Sequence, residues 1–175
     1  MVPQLSGWAN FYVIVGSSAG ALIGLQFVVI ALVASTRTQA LSSAVRAFAS
    51  PTIVYFSSVL LTAGLLSIPH HTRTSLGIVL LAVGAAGLGY VSRVGRHMQR
   101  QETYSPDRGD WLWFVHLPAA AYASALAAGA MAWSVSAASL VIAGGSAMML
   151  LLIGVHNAWD SAVYMIAHPP TDRSE

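Results

Sequence analysis

The chain has 175 residues, of which 56% are hydrophobic and only 8% charged, and its mean hydropathy is +0.67. Soluble domains carry about 25% charged residues, so this composition excludes a water-covered globule and makes lipid the solvent for most of the chain. All eight basic residues are arginines scattered through short segments at a net charge of +2, which points to membrane orientation rather than nucleic acid, and the absence of cysteine excludes disulfides, thiolate metal sites and thiol nucleophiles.

The expected fold is an all-α integral membrane protein, a bundle of about five transmembrane helices forming one domain over 1–168. The first helix is read over 10–34, because no charge occurs from residue 1 to 36. Its apolar run is longer than the usual 7–15 residues and lacks a basic leader, so a cleaved signal peptide is not expected. Gly16, Gly20 and Gly24 recur every four residues, the glycine-zipper pattern that lets two backbones approach closely in lipid. They are candidates for helix packing or pore lining, and Gln26, two residues on, is a candidate pathway residue. The segment 38–48 reads equally as an interfacial helix or as a polar loop.

The second helix is read over 51–68, with Ser50 as N-cap, Pro51 at the first helical position and Pro69 just past its end. His70 and His71 follow in a short loop with Arg73. Solvated loop histidines are the simplest reading, with a proton sensor or surface metal contact as the sharper one. The third helix is read over 75–94. Its run Gly84-Ala85-Ala86-Gly87-Leu88-Gly89 suits small-residue packing better than phosphate binding. The stretch 111–159 would be about 73 Å long as one helix, more than twice the ~30 Å hydrocarbon core. It must therefore fold back, and 133–136 is the expected turn between helices at 112–133 and 138–167. Pro118 cannot donate to the Phe114 carbonyl, so a kink and a freed carbonyl are expected there. The tail 169–175 is expected to be a disordered cytoplasmic tail.

Five spans place Arg37, Arg46, Arg93, Arg96, Arg100, Arg108 and Arg173 on one side and Arg73 alone on the other. Basic loops stay cytoplasmic, which predicts an outside N-terminus, a cytoplasmic C-terminus and residence in the cytoplasmic membrane, most simply of a prokaryote. The five tryptophans fall at the interfaces this topology implies, the depth amphipathic rings prefer.

One polar cluster breaks the apolar pattern. His156, Asp160 and Tyr164 lie within about 80° of one another on the last helix, Asn157 widens that arc, and His168 follows. His116 enters the membrane at the same end, one turn into the fourth helix. Ionisable groups in lipid must be paired or wetted. Three readings compete: a structural ion pair of Asp160 with Arg93 or Arg96, a titratable ion or proton pathway, or a zinc or haem site using His116, His156 and Asp160.

No G-x-S-x-G elbow, HExxH, phosphate-binding loop or dinucleotide fingerprint occurs, so an enzyme is not the expectation. No convincing internal repeat is present, which weakens an inverted-repeat transporter. The expectation is a homo-oligomeric channel for a small ion without a cofactor. The alternatives are the metal- or haem-binding protein and an accessory membrane subunit. Lipid is the expected surrounding, with no nucleic-acid partner.

Overall fold

The computed structural model describes residues 3–35, 39–100, 107–134 and 136–167, and side chains within 5–32, 51–100, 107–134 and 137–163. A 3-10 segment, Pro3–Trp8, leads into α1 (Ala9–Ser35). Then follow α2 (Gln39–Leu66), α3 (Arg73–Gln99) and a short α4 (Arg108–Trp111). A π-turn at Leu112–His116 joins α4 to α5 (Leu117–Met131), and α6 (Ser136–Ala167) closes the chain. The described residues are helical throughout apart from short connections. Four helical stretches are long and apolar enough to cross a membrane: Leu5–Leu32, Arg73–Gln99, Arg108–Met131 and Ala137–Val163. Pro51–Leu66 is a shorter apolar helix.

Two boundaries differ from the sequence expectation. The second helix starts at Gln39 and carries Pro51 inside it, rather than starting at Pro51. A proline interrupts one hydrogen bond, but apolar helices packed on neighbours tolerate it, and Pro51 is itself buried. Residues 39–48 are therefore neither a loop nor a separate helix but part of α2; Thr38 and the side chains of 39–48 lie outside the described residues. The third helix runs on to Gln99, past the end of its apolar stretch. Arg96 and His97 sit in its last turn, where positive charge suits the helix dipole. The tail 169–175 and His168 lie outside the described residues.

Consecutive long helices run antiparallel. α3 packs most extensively on α5, α1 on α2, and α6 lies against both α5 and α2. Glycines make these approaches possible. A Cβ on Gly84 would stand 2.8 Å from the Leu126 backbone nitrogen and 2.9 Å from the Tyr122 carbonyl. On Gly87 it would run into the Tyr122 ring. The run around Gly84 is thus a packing surface of α3. Hydroxyls fix the α5–α6 register: Ser139 donates to the Ala128 carbonyl at 2.7 Å and Ser146 to the Ala121 carbonyl at 2.8 Å, both buried.

Two apolar cores stack along the bundle. One, at the Trp133 end, gathers Leu5, Tyr12, Leu66, Leu76, Leu80 and Leu140. The other gathers Tyr55, Phe56, Val59, Tyr122, Leu150 and Ile153 and reaches toward Trp113. Outward faces are apolar too: Ile14, Leu25 and Leu32 on α1 and Leu152 and Trp159 on α6 are all more than half exposed.

Candidate functional site

The site is built on the proline of the fourth rod. Leu117 N–H reaches back five residues to the Leu112 carbonyl, and Pro118 has no N–H to give to Trp113 or Phe114. Side chains from other helices meet those two carbonyls. Tyr55 of α2 donates its buried hydroxyl to Phe114 at 2.9 Å. Asn157 of α6 donates its amide to Trp113 over a long 3.5 Å. The freed Phe114 carbonyl expected from the sequence is thus real, and its partner is a tyrosine 59 residues earlier.

Around Tyr55 lies a small hydroxyl cluster. Its ring stands edge-on to Tyr90 and tilted to Tyr122, each with centroids 6.5 Å away. The Tyr122 hydroxyl shares a 2.8 Å hydrogen bond with Ser58. Sequence reading missed this cluster. The available signal was that a tyrosine deep in an apolar helix needs a partner for its hydroxyl.

Asn157 is fully buried, yet its Oδ1 has no hydrogen-bond partner. Leaving a buried acceptor unsatisfied costs about 1–3 kcal/mol. Tyr12 Oη, at the Trp133 end, is the second such atom among the described residues.

One residue before Asn157, the His156 ring stacks on Trp113, with centroids 3.5 Å apart and planes at 19°. Its Nε2 lies 3.0 Å from Asp160 Oδ2. A carboxylate only accepts, so Nε2 carries a hydrogen. The ring thus meets a carboxylate at its edge and an indole on its face. The side chains are 33% and 56% exposed, so the pair is open to its surroundings.

Of the sequence candidates, the structure therefore joins His156, Asn157 and Asp160 at one helix end. His116 is exposed and makes its ring contact with Trp111, 6.3 Å between centroids. Trp113, in the π-turn, is the ring that meets His156. Among the described residues no group of three or more histidines or acids is gathered as a metal would require. The ion pair of Asp160 is with His156, not with Arg93 or Arg96, and Arg96 instead donates its Nε to the Ser92 carbonyl. Tyr164 lies on α6, with its side chain outside the described residues.

The glycines of α1 divide. Gly16 is buried, with Ala63 of α2 at 2.9 Å from where its Cβ would stand, whereas Gly20 and Gly24 have nothing within 4 Å. Positions four apart drift by about 40° in a helix of 3.6 residues per turn, which carries the stripe off α2 by Gly24. Gln26 is about 200° from Gly24 on the same reckoning, and it is buried toward the bundle.

His71 also departs from the solvated reading. It is buried, with Nε2 at 2.8 Å from the Leu65 carbonyl and Nδ1 at 2.9 Å from Ser75 Oγ. It thereby ties the end of α2 to the Thr72–Ser75 capping box of α3. His70, with φ at 65°, makes the sharp corner. Comparison with protein-family models, with curated proteins and with solved structures finds no match to this chain.

Proposed function

We propose that this protein crosses the membrane five times and assembles from several copies into a channel for a small ion, with His156 and Asp160 at its cytoplasmic mouth. The observation that carries the reading is the His156–Asp160 pair, stacked on Trp113 and half-exposed beside the wholly buried Asn157. Apolar helices keep such groups where ions or protons pass or where they are paired, and this pair remains open to its surroundings. The shorter Pro51–Leu66 helix counts as the fifth span because it lies against α1 and α6. The arginine asymmetry then sets the N-terminus outside. The open Gly20 and Gly24 surface of α1 gives a second copy a place to pack closely.

The test is ion flux into liposomes containing the purified protein, with Asp160→Asn beside the parent. The variant keeps the shape and removes the charge. Flux in the parent that changes in rate or pH dependence in the variant supports the channel. Absence of flux for protons and for monovalent ions in the parent sinks it and favours an accessory subunit.

A further inference from the structure

The turn at Leu112–His116 admits a second winding. In the present one, Leu117 N–H serves Leu112, Asn157 serves Trp113, and Tyr55 serves Phe114. Wound as an α-helix, Leu117 N–H would serve Trp113, four residues back. Only Phe114 would then face Pro118 without a backbone donor. One residue leaves the turn, so the chain before Leu117 rotates by about 100° and shifts by about 1.5 Å. Trp113 moves to the exposed place that Leu112 now holds, and Phe114 moves to the place of Trp113 against His156. The carbonyl presented to Asn157 becomes that of Phe114, so the Asn157 amide has a partner in either winding. The Tyr55 hydroxyl would give up its Phe114 partner on leaving the π winding.

The rotation would lift Phe114 from its buried place, and the segment that turns with it is small. α4 has four residues, none buried, and holds itself together through the Asp107–Asp110 capping box. Across from it, α3 presents Gly95, where even an added Cβ would meet only ordinary contacts, 3.6 Å from Val115 and 3.8 Å from Trp111. The 3.5 Å bond from Asn157 is a weak restraint on the present winding. π-turns of a single extra residue frequently stand at working sites.

We propose that residues 112–117 form a two-state turn, held in its π winding by Tyr55, that decides whether Trp113 or Phe114 covers His156. An indole offers a larger stacking face than a phenyl ring, so the winding regulates how fully His156 is covered. That functional meaning rests on the channel reading; the two windings themselves do not.

The test is 19F NMR of the detergent-solubilised full chain with its five tryptophans replaced by 5-fluorotryptophan. The Trp113 resonance is assigned by its loss in Trp113→Phe. In the parent, His156→Ala should move that resonance, because a stacked ring is removed. In Tyr55→Phe the resonance should already be displaced or split, and adding His156→Ala should move the displaced signal no further. Pro118→Ala, which removes the reason for the π winding, should displace it in the same direction and stands in if Tyr55→Phe does not fold. A Trp113 resonance that keeps its parent position in the folded variants, and still responds to His156→Ala, overturns the proposal. A displaced resonance with unaltered liposome flux upholds the turn and counts against its regulating the channel, whereas absence of flux in the parent counts against the channel alone.

Discussion

The two ends of the bundle solve the problem of packing in lipid differently. At the Trp133 end, rings are laid directly over glycines. The Trp133 ring lies 2.5 Å from where a Cβ of Gly77 would stand, and the Trp8 ring 2.6 Å from that of Gly144. His71 closes the α2–α3 corner with both ring nitrogens engaged. At the Trp113 end the winding is irregular, two carbonyls depend on side chains from other helices, and a buried amide oxygen has no partner. Lipid supplies no hydrophobic drive between helices, so close contact holds them together. Both ends carry that contact, since the Tyr122 and Phe56 rings lie over Gly87 and Gly154 at the second. The second adds to it the polar groups that lipid penalises.

Substitutions can break that contrast. The largest loss is expected from Gly129→Val, because a Cβ there would stand 2.8 Å from the Leu81 backbone nitrogen and 3.0 Å from the Gly77 carbonyl. Backbone cannot step aside as a flexible side chain can, and overpacking of this kind costs about 2–3 kcal/mol. Thermal unfolding in detergent should show a clear drop in Tm, and an unchanged Tm would mean that α3 and α5 are not so close. Next comes His71→Phe, which removes the ring's two hydrogen bonds, to the Leu65 carbonyl and to Ser75 Oγ; each keeps a backbone partner, so the loss is that of two ordinary bonds, about 1–3 kcal/mol, read by the same melt. A smaller effect is expected from Asn157→Leu, although the residue is wholly buried. It removes the unpartnered oxygen, a gain, and the long bond to the Trp113 carbonyl, a loss; the two oppose, so stability should change by under about 1 kcal/mol in either direction. A loss as large as that at Gly129 would erase the difference between the ends.

The smallest effect on the fold of one copy belongs to Gly20→Leu, which adds a side chain where nothing lies within 4 Å. Its consequence should be seen instead in assembly, as a smaller particle by light scattering in detergent. Unchanged size would remove this face from the packing of copies.

Much of the helical framework was legible because composition and charge report directly on lipid. The turn near Trp133 follows from helix length alone, and the freed Phe114 carbonyl follows from the chemistry of proline. The adjacency of His156 and Asp160 follows from a spacing of four. What escaped were the choices that depend on neighbours. Ser50-Pro51 looks like a helix start, yet burial of Pro51 keeps it inside α2. The π-turn adds one residue that no sequence spacing announces, and Trp113 rather than His116 meets His156. Asp160 had arginines within plausible reach along the sequence, but the histidine one turn away on its own helix needs no tertiary coincidence. The glycine repeat of α1 reads as one smooth stripe until the 40° drift per step is followed from Gly16 to Gly24. His71 had no sequence signal beyond its place beside a helix cap.

The hydroxyl contacts between α5 and α6 have a mechanical consequence. Ser139, Ser146 and Asn157 each deliver a hydrogen to a carbonyl of the facing rod, at Ala128, Ala121 and Trp113. Sliding one helix past the other by a single turn would break all three at once, so the pair behaves as a splinted unit. The upper two rungs are short, at 2.7 and 2.8 Å, and the lowest is stretched to 3.5 Å. Torque applied at the lower end therefore meets the longest of the three rungs first.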